Sequence, residues 1–412
     1  MPEKISTKPP KGTSDWKPEE FALRHFIFST RRNVCLSFGY EEYLTPLVEN
    51  ADVYRAKSGE DVGTELTLIN DRGRDIAVRP EMTPSVTRMV ASYAQMSKPI
   101  RLFSIANFYR NEKPQRRNRE FWQLNADVFG VSGIYADVEV LQLGLEIMKA
   151  FDAPAGSFVM NINHRQLIDD FLLLECLDET MKQEATRTMD KRDKLEEAFR
   201  KVLAKLSDVQ LNKIVQLLQI ESLSSLLEMF PGLQTSVVVE MKELFSLMEK
   251  MDYTEFFSFS PRLMRFDYYD GMIFEVFDKH PENNRAMFGG RYNGLASIFG
   301  IDAFPCVFAP DETTKLFLES WGLVDGIREK IKRQVYYIPL LSDACYNPCQ
   351  QIAQKMRSEK CVELMKVMKF GKVMYANKKG LSHVVIVGED EIEKGEYKVK
   401  DMKSGEDFLF DL

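Results

Sequence analysis

Between about residues 165 and 250 the chain is rich in Leu, Lys, Glu and Met at helical spacing, with few glycines. The segments on either side, Leu102 to Gly130 and Phe256 to about Phe308, carry a strand-like, aromatic texture instead. This order reads as a β-rich domain interrupted by a helical insertion. Upstream, the spacing of Phe21, Leu23, Phe26, Ile27, Val34 and Leu36 predicts an amphipathic helix over residues 17 to 38. An extended segment follows from Tyr40 to Val48, in which Pro46 belongs on an edge or interface strand. Glu65 to Asn70 and Asp75 to Val78 read as strands joined by the turn Asp71-Arg-Gly-Arg. A polar, Arg-rich loop divides residues 102 to 130 into two strands, and helices are expected over 135 to 150 and from Thr314 to Trp321. From Gln334 the texture changes again, with strand, helix, helix, strand and a terminal strand pair: a small separate α/β domain whose boundary falls at the charged stretch Asp325 to Arg333.

A chain of 412 residues exceeds one ordinary core, so two large domains or three smaller ones are expected. With 44% hydrophobic residues, 28 Phe and 15 Tyr, it folds rather than remaining disordered. The longest apolar runs, such as Val384 to Val387, are too short for a membrane span, and the charged start lacks the apolar core of a signal peptide, so a cytoplasmic protein is the default expectation. Six cysteines without a CxxC pair and four scattered histidines signal neither a disulfide framework nor a metal site; Cys345 and Cys349 read as buried thiols. A net charge of −7 excludes coating of nucleic acid by overall charge, leaving RNA to a local basic patch.

Such a patch lies in Phe108-Tyr-Arg-Asn-Glu-Lys-Pro-Gln-Arg-Arg-Asn-Arg-Glu-Phe-Trp-Gln, where Arg110, Lys113, Arg116, Arg117 and Arg119 crowd one hairpin. Arginine forks match phosphate oxygens bidentately, which suits polyphosphate or RNA; a solvated hairpin tip is the plainer alternative. Arg79-Pro-Glu-Met-Thr places an Arg, a Glu and a Thr at a strand end, and Arg265-Phe-Asp-Tyr-Tyr-Asp-Gly is a second mixed site. Phe288-Gly-Gly-Arg-Tyr-Asn-Gly reads as a glycine-rich turn. Singly, each block could be an ion pair beside aromatic packing. Their occurrence in this order is more specific.

In that order they resemble the signature blocks of the histidine–tRNA ligases, class II aminoacyl-tRNA synthetases, over nearly the whole chain. Lys11-Gly-Thr-Ser-Asp resembles the family's N-terminal opening, and Gly39-Tyr-Glu-Glu-Tyr-Leu-Thr-Pro resembles motif 1, which implies a homodimer. Val78-Arg-Pro-Glu-Met-Thr resembles a substrate-holding block, and residues 108 to 130 resemble motif 2. Arg265-Phe-Asp-Tyr-Tyr and Gly289-Gly-Arg-Tyr resemble the two blocks particular to histidine recognition. Lys369-Phe-Gly-Lys, Val384-Val-Ile-Val-Gly-Glu-Asp-Glu and Lys400-Asp-Met-Lys-Ser-Gly-Glu resemble the anticodon-binding domain. The resemblance implies an α+β protein: a class II antiparallel sheet flanked by helices in residues 1–325, a helical insertion at about 165–250, and an α/β anticodon-binding domain in 334–412.

It further implies ATP-dependent activation of L-histidine and its transfer to tRNA(His). Arg110 would grip the α-phosphate and Arg265 would stand in the place of the catalytic arginine. Glu112 would bind the adenine amino group, Phe121 would stack on the base, and Arg117 would join the ATP contacts. Glu81, Gln123 and Asp127 would take the histidine ammonium with Thr83 beside them, while Tyr269 and Tyr292 would meet the imidazole. Mg²⁺ is expected on the remaining phosphates without a dedicated protein site. A pocket that hydrogen-bonds a polar ring rejects apolar amino acids, so editing would be unnecessary.

The chain departs from the family pattern in two respects. Single glycines are missing after Arg265, between Arg116 and Arg117, between Val307 and Phe308, and between Pro310 and Asp311, and a deletion inside a strand reverses the faces of all later side chains. In the segment that occupies motif 3, from Phe304 to Leu316, Thr313 stands where most class II enzymes place an arginine against ATP, and Lys315 would point elsewhere. Two other readings compete: a non-catalytic, histidine-binding regulatory paralogue, and an RNA-binding module. Retention of residues 334–412 weighs against the first, and retention of both histidine blocks weighs against the second.

Overall fold

The computed structural model describes residues 5–58, 66–93, 96–111, 118–175, 178, 180–182, 185, 206–263, 269–281, 285–302, 304–366 and 372–410. The chain divides into two compact units, Met1–Ile327 and Arg328–Leu412.

The first unit opens with helix α1 (Pro18–Ser37), where a proline sits in the first turn with Glu19 and Glu20 at the positive end of the helix dipole. The segment from Tyr40 to Val48 is not one strand. It supplies β1 (Glu41–Glu42) to one sheet and β2 (Val48–Asn50) to another. Pro46 lies between them, where its missing N–H costs no ladder bond. Then follow α2 (Ala51–Ser58), β3 (Thr67–Asp71), β4 (Arg74–Val78) and α3 (Thr83–Ser92). Strands β2, β4 and β3 form a small antiparallel sheet.

The main sheet takes β5 (Ile100–Tyr109) and β6 (Glu120–Phe129), then β7 (Phe158–His164), β8 (Phe257–Phe259), β9 (Met272–Asp278), β10 (Arg285–Tyr292) and β11 (Phe304–Pro310). Among the described residues its order is β1-β5-β6-β11-β10-β9-β7-β8. The strands from β5 to β7 in this order pair antiparallel, while β1 and β8 pair parallel at the edges. Helix α4 (Ile134–Lys149) precedes β7, and α5 (Arg165–Leu174), α6 (Asp208–Leu217), α7 (Leu223–Met229) and α8 (Ser236–Lys250) separate β7 from β8. Helix α9 (Asn293–Ile298) joins β10 to β11, and α10 (Asp311–Ser320) follows β11.

Alternation along the strands gives the sheet two different faces. One is covered by α1, α4 and α10. Gly144 lets α4 lie close there, since a Cβ at that position would stand 3.2 Å from Met160 and 3.3 Å from Met287. On the other face Met82, just before α3, Val86 and Val90 of α3 and Leu295 and Ala296 of α9 pack with Phe108, Phe129, Tyr269, Tyr292, Phe304 and Phe308.

The sequence places Gly289 and Gly290 in a turn, but both lie inside β10, where the ladder to β11 runs from Phe288↔Phe308 to Tyr292↔Phe304. They are there for close approach. A Cβ at Gly289 would stand 2.1 Å from the Cys306 carbonyl oxygen, and one at Gly290 would stand 2.6 Å from both the Met272 carbonyl oxygen and the Tyr269 ring. The charged stretch Asp325 to Arg333 is largely helical, as α11 (Val324–Ile331), and the division between the units falls within that helix.

The second unit has a five-stranded sheet ordered β13-β12-β14-β15-β16, built from β12 (Val335–Leu340), β13 (Cys361–Lys366), β14 (His383–Ile386), β15 (Tyr397–Asp401) and β16 (Asp407–Phe410). Helix α12 (Tyr346–Met356) covers it, with Cys345 and Cys349 as buried free thiols in the core beside Ile338, Ile352 and Val385. Helices α13 (Lys372–Lys379) and α14 (Glu389–Lys394) complete the unit.

At the end of β7, the His164 Nδ1 accepts the Gln166 N–H at 3.1 Å and caps α5. Burial, offset by Asp170 and reinforced by Arg291, lowers its pKa from the ordinary 6.5 to about 4. The imidazole therefore holds its proton less well folded than unfolded. Its contribution to stability is complete above about pH 6.5 and is lost as pH falls through about 4, where protonation removes the capping acceptor. Asparagine caps without titrating. Urea denaturation at steps between pH 7 and pH 4 is expected to show a shallower acid loss in His164→Asn than in the parent chain.

Candidate active site

The site is built on the face of the main sheet that carries Phe121, Gln123, Asn125 and Asp127, alternate residues of β6. The β11 ladder sets Cys306 opposite Asp127, Phe308 opposite Asn125 and Pro310 opposite Gln123. On its other side β11 sets Cys306 opposite Gly290 and Phe304 opposite Tyr292. Both ladders run without a break, so the glycine missing between Val307 and Phe308 leaves a regular strand, and the one missing between Pro310 and Asp311 falls where the strand meets α10.

The rim of the site comes from the segment between β4 and α3. Arg79 is buried there. Its Nε donates to the Asn107 carbonyl at 2.9 Å, one terminal N–H to the Thr45 carbonyl at 2.9 Å and the other to Asn107 Oδ1 at 3.1 Å. The backbone is held as well, with Arg79 N–H on Leu47 O and Tyr109 N–H on Arg79 O. So fixed, the segment presents Pro80, Glu81 and Thr83. Arg110, just past β5, donates from Nε to the Pro80 carbonyl at 3.1 Å, and its guanidinium lies 5.1 Å from the centre of the Phe121 ring. A cation beside a half-buried aromatic face can engage a planar base and its phosphate together.

Tyr269 rests on Gly290 and meets Tyr292 with ring centroids 4.8 Å apart. Burial pushes the Tyr292 phenol well above the ordinary tyrosine range, and Tyr269, Cys306 and Glu81 add to the effect. Glu81 therefore lies within electrostatic reach of the Tyr292 phenol. It also acts on Tyr54, whose phenol burial pushes well above the ordinary tyrosine range and whose hydroxyl pairs with Ser85 at 3.0 Å. Both phenols stay protonated as donors. Deeper in the sheet, Gln123 donates from Nε2 to Asn125 Oδ1 at 2.9 Å. Asn125 Nδ2 and Thr83 Oγ1 are buried with no hydrogen-bond partner among the described residues, an arrangement that polar groups adopt where a ligand or water completes them. Asp127 is fully buried and its charge helps to raise the buried phenol of Tyr43.

Of the residues singled out from sequence, Glu81, Thr83, Arg110, Phe121, Gln123, Asp127, Tyr269 and Tyr292 are drawn to this one face. Glu112, Arg117 and Arg265 lie outside the described residues. Thr313 does not face the site as a charge would: its hydroxyl turns back to the Pro310 carbonyl at 3.1 Å, and Lys315 pairs with Glu319 at 3.4 Å along the helix. Sequence reasoning passed over Asn125, whose two-residue offset from Gln123 and Asp127 was the available signal, and Cys306, whose thiol donates to the Gly290 carbonyl at 3.4 Å.

Behind the hairpin, Asp311 accepts the Trp122 N–H at 3.1 Å and pairs with buried Arg24 at 2.7 Å. Arg31, fully buried, donates to the Pro310 carbonyl at 2.9 Å and to the Thr314 hydroxyl. Gly12 O accepts Arg119 N–H at 2.7 Å and Glu120 N–H at 3.2 Å, tying the N-terminal segment to the base of the hairpin. These contacts fix the strand that carries Phe121 and Gln123.

A side chain at Gly290 must displace either the Tyr269 ring or the Met272 carbonyl. Overpacking of this kind costs about 1–3 kcal/mol. Gly290→Ala is therefore expected to lower the midpoint of thermal or urea unfolding, whereas Gly326→Ala, with nothing within 4 Å of its Cβ, leaves it near the parent value.

A family profile described as histidyl-tRNA synthetase matches residues 12–310, and one described as an anticodon binding domain matches residues 334–412. The histidine–tRNA ligase of Leptospira biflexa is 36% identical over 422 aligned residues, covering 99% of this chain and 96% of that protein. The crystal structure of histidyl-tRNA synthetase from Nostoc sp. PCC 7120 superposes with a TM-score of 0.80 at 21% identity, covering 99% of this chain and 97% of that one. A Bacillus halodurans structure described as an ATP phosphoribosyltransferase regulatory subunit/histidyl-tRNA synthetase superposes with the same TM-score of 0.80 at 22% identity, covering 93% and 99%.

Proposed function

The chain belongs to the histidyl-tRNA synthetase family, and from that premise we propose how its residues divide the work of joining histidine to tRNA. The activity is that of a histidine–tRNA ligase, an aminoacyl-tRNA ligase: L-histidine is activated with ATP to histidyl-adenylate and passed to tRNA(His). In the first step a histidine carboxylate oxygen attacks the α-phosphorus in line and pyrophosphate leaves. In the second a tRNA ribose hydroxyl attacks the activated carbonyl and AMP leaves.

One observation carries the residue assignments: Tyr269 and Tyr292 meet over Gly290, and the Tyr292 phenol is held protonated with the Glu81 carboxylate in electrostatic reach. A neutral imidazole offers one acceptor and one N–H, and phenol hydroxyls can satisfy both. Glu81, Gln123 and Asp127 are acceptors for the ammonium, and the buried Thr83 hydroxyl beside them has no partner among the described residues, one that a substrate would supply. Arg110 would hold the α-phosphate while Phe121 stacks on adenine, and Glu112 and Arg117 would complete the nucleotide contacts. Arg265 would neutralise the charge that grows on the phosphate in the transition state. Mg²⁺ would arrive bound to the ATP phosphates as part of the substrate. With Thr313 turned back on its own helix, the nucleotide would depend on the motif 2 arginines more heavily than on α10.

Residues 1–325 would form the catalytic domain and 334–412 the anticodon-binding domain. A homodimer fits the apolar side chains left exposed at Leu44, in the segment that resembles motif 1, at Leu47 and Val48 just after it, and at Leu68 and Ile69 on β3. Among the described residues no helix is long and apolar enough to cross a membrane, and a cytoplasmic site of action is proposed. The regulatory paralogue is disfavoured, because ligase relatives match over full length and the chain retains the second unit.

Histidine-dependent exchange of pyrophosphate into ATP tests the assignments. Arg265→Ala is expected to cut the rate about a hundredfold to a thousandfold. Glu81→Gln is expected to raise the KM for histidine with little change in the KM for ATP. Undiminished exchange in Arg265→Ala would remove that residue from the mechanism.

A further inference from the structure

Tyr269 and Tyr292 reach the site from one face of the sheet, and both are braced from the other face by the same side chain. Arg291, next to Tyr292 on β10, points away from the site and is 9% exposed. Its Nε lies 3.0 Å from Asp137 Oδ1, one terminal nitrogen lies 3.0 Å from the same oxygen, and that nitrogen donates to the Gly133 carbonyl at 2.9 Å. Asp137 stands in the first turn of α4, where the helix dipole favours a carboxylate. The fork thus pins β10 to the start of α4.

The same side chain supports the segment behind Tyr269. A Cβ at Gly271 would stand 3.0 Å from the Arg291 Cβ and Cδ, so the arginine stem lies directly against that backbone. The Asp270 N–H donates to the Arg291 carbonyl at 3.3 Å, and the Arg165 N–H donates to the Gly271 carbonyl at 2.9 Å. Tyr269-Asp270-Gly271 and Tyr292 therefore share one support. Behind it lies a cavity of about 650 Å³ whose wall includes Asp137, His164, Glu240, Asp270, Gly271 and Arg291.

We propose that Arg291 and Asp137 are a positioning pair for the amino-acid pocket, holding Tyr269 and Tyr292 from behind the sheet so that their hydroxyls meet the imidazole. This rests on the reading that these tyrosines receive the histidine ring. The pair contacts no substrate and acts only through the two tyrosines. Arginine is required, because its fork reaches Asp137 and the Gly133 carbonyl at once, whereas a lysine offers one compact charge. Burial and the nearby Glu240 carboxylate push Asp137 up to about 6, against the pull of Arg291.

Calorimetric titration of the full chain with L-histidine, and separately with a non-hydrolysable ATP analogue, distinguishes positioning from general stability. Arg291→Lys and Asp137→Asn keep size and polarity, and Arg291→Met removes the fork; thermal melting checks that each is folded. The expected result for Arg291→Lys and Asp137→Asn is histidine affinity weaker by about tenfold or more, with the analogue bound within about twofold of the parent. Histidine affinity unchanged in both would overturn the proposal, as would equal losses for histidine and nucleotide. Because the readout is binding, a parent chain that binds histidine but fails to exchange pyrophosphate would end the ligase reading while the affinities still decide this one. A parent chain that binds no histidine overturns both.

Discussion

The register of β11 between β6 and β10 is the constraint on which the rest of the site depends. Its two unbroken ladders put Cys306 opposite Asp127 on one side and Gly290 on the other, and thereby bring Gln123 and Asp127 of β6 onto the same face as Gly290 and Tyr292 of β10. A slip of one residue in either ladder would turn Gln123 and Asp127, or Tyr292, toward α1 and α4. The missing glycine between Val307 and Phe308 is compatible with this only because β11 is regular over its whole length. Where the chain is shorter, the ladder, not the loop, defines which face each residue takes.

Arginines pin the parts of this arrangement that lie outside the ladders. Arg79 gathers three acceptors from two segments, Arg24 and Arg31 tie α1 to the start of α10, and Arg291 ties β10 to α4. Each is buried, and each satisfies backbone carbonyls or a carboxylate at the end of a strand or the start of a helix. Desolvation lowers Arg31 to about 10, which shows what its burial costs, yet it still carries its charge at neutral pH. Val237 and Glu240 of α8, one of the helices between β7 and β8, line the same cavity as Asp137 and Arg291.

Much of this was legible in the sequence, for stated reasons. The polar, Arg-rich loop divides β5 from β6, helical spacing exposes α1, and the change of texture at about 165 marks the helices that separate β7 from β8. What escaped was governed by contacts distant in sequence. Gly289-Gly290 reads locally as a turn, and only the Cys306 carbonyl and the Tyr269 ring, supplied by other strands, explain glycine inside β10. The segment from Tyr40 to Val48 reads as one strand because nothing local says that its two ends pair with different partners. Charge marks the stretch Asp325 to Arg333 as a boundary without marking a helix, and Val324 and Ile327 bury one side of a helix there. Asn125 was readable from spacing, whereas the rear support from Arg291 and Asp137 could not be inferred from residues so far apart.

The most direct test of the central claim is a crystal structure of the chain with L-histidine and a non-hydrolysable ATP analogue bound together. The account predicts the imidazole at the hydroxyls of Tyr269 and Tyr292, the ammonium among Glu81, Gln123 and Asp127, and adenine on Phe121 with the α-phosphate at Arg110. Histidine bound away from the two tyrosines, or a nucleotide bound on the face covered by α1 and α4, would contradict it.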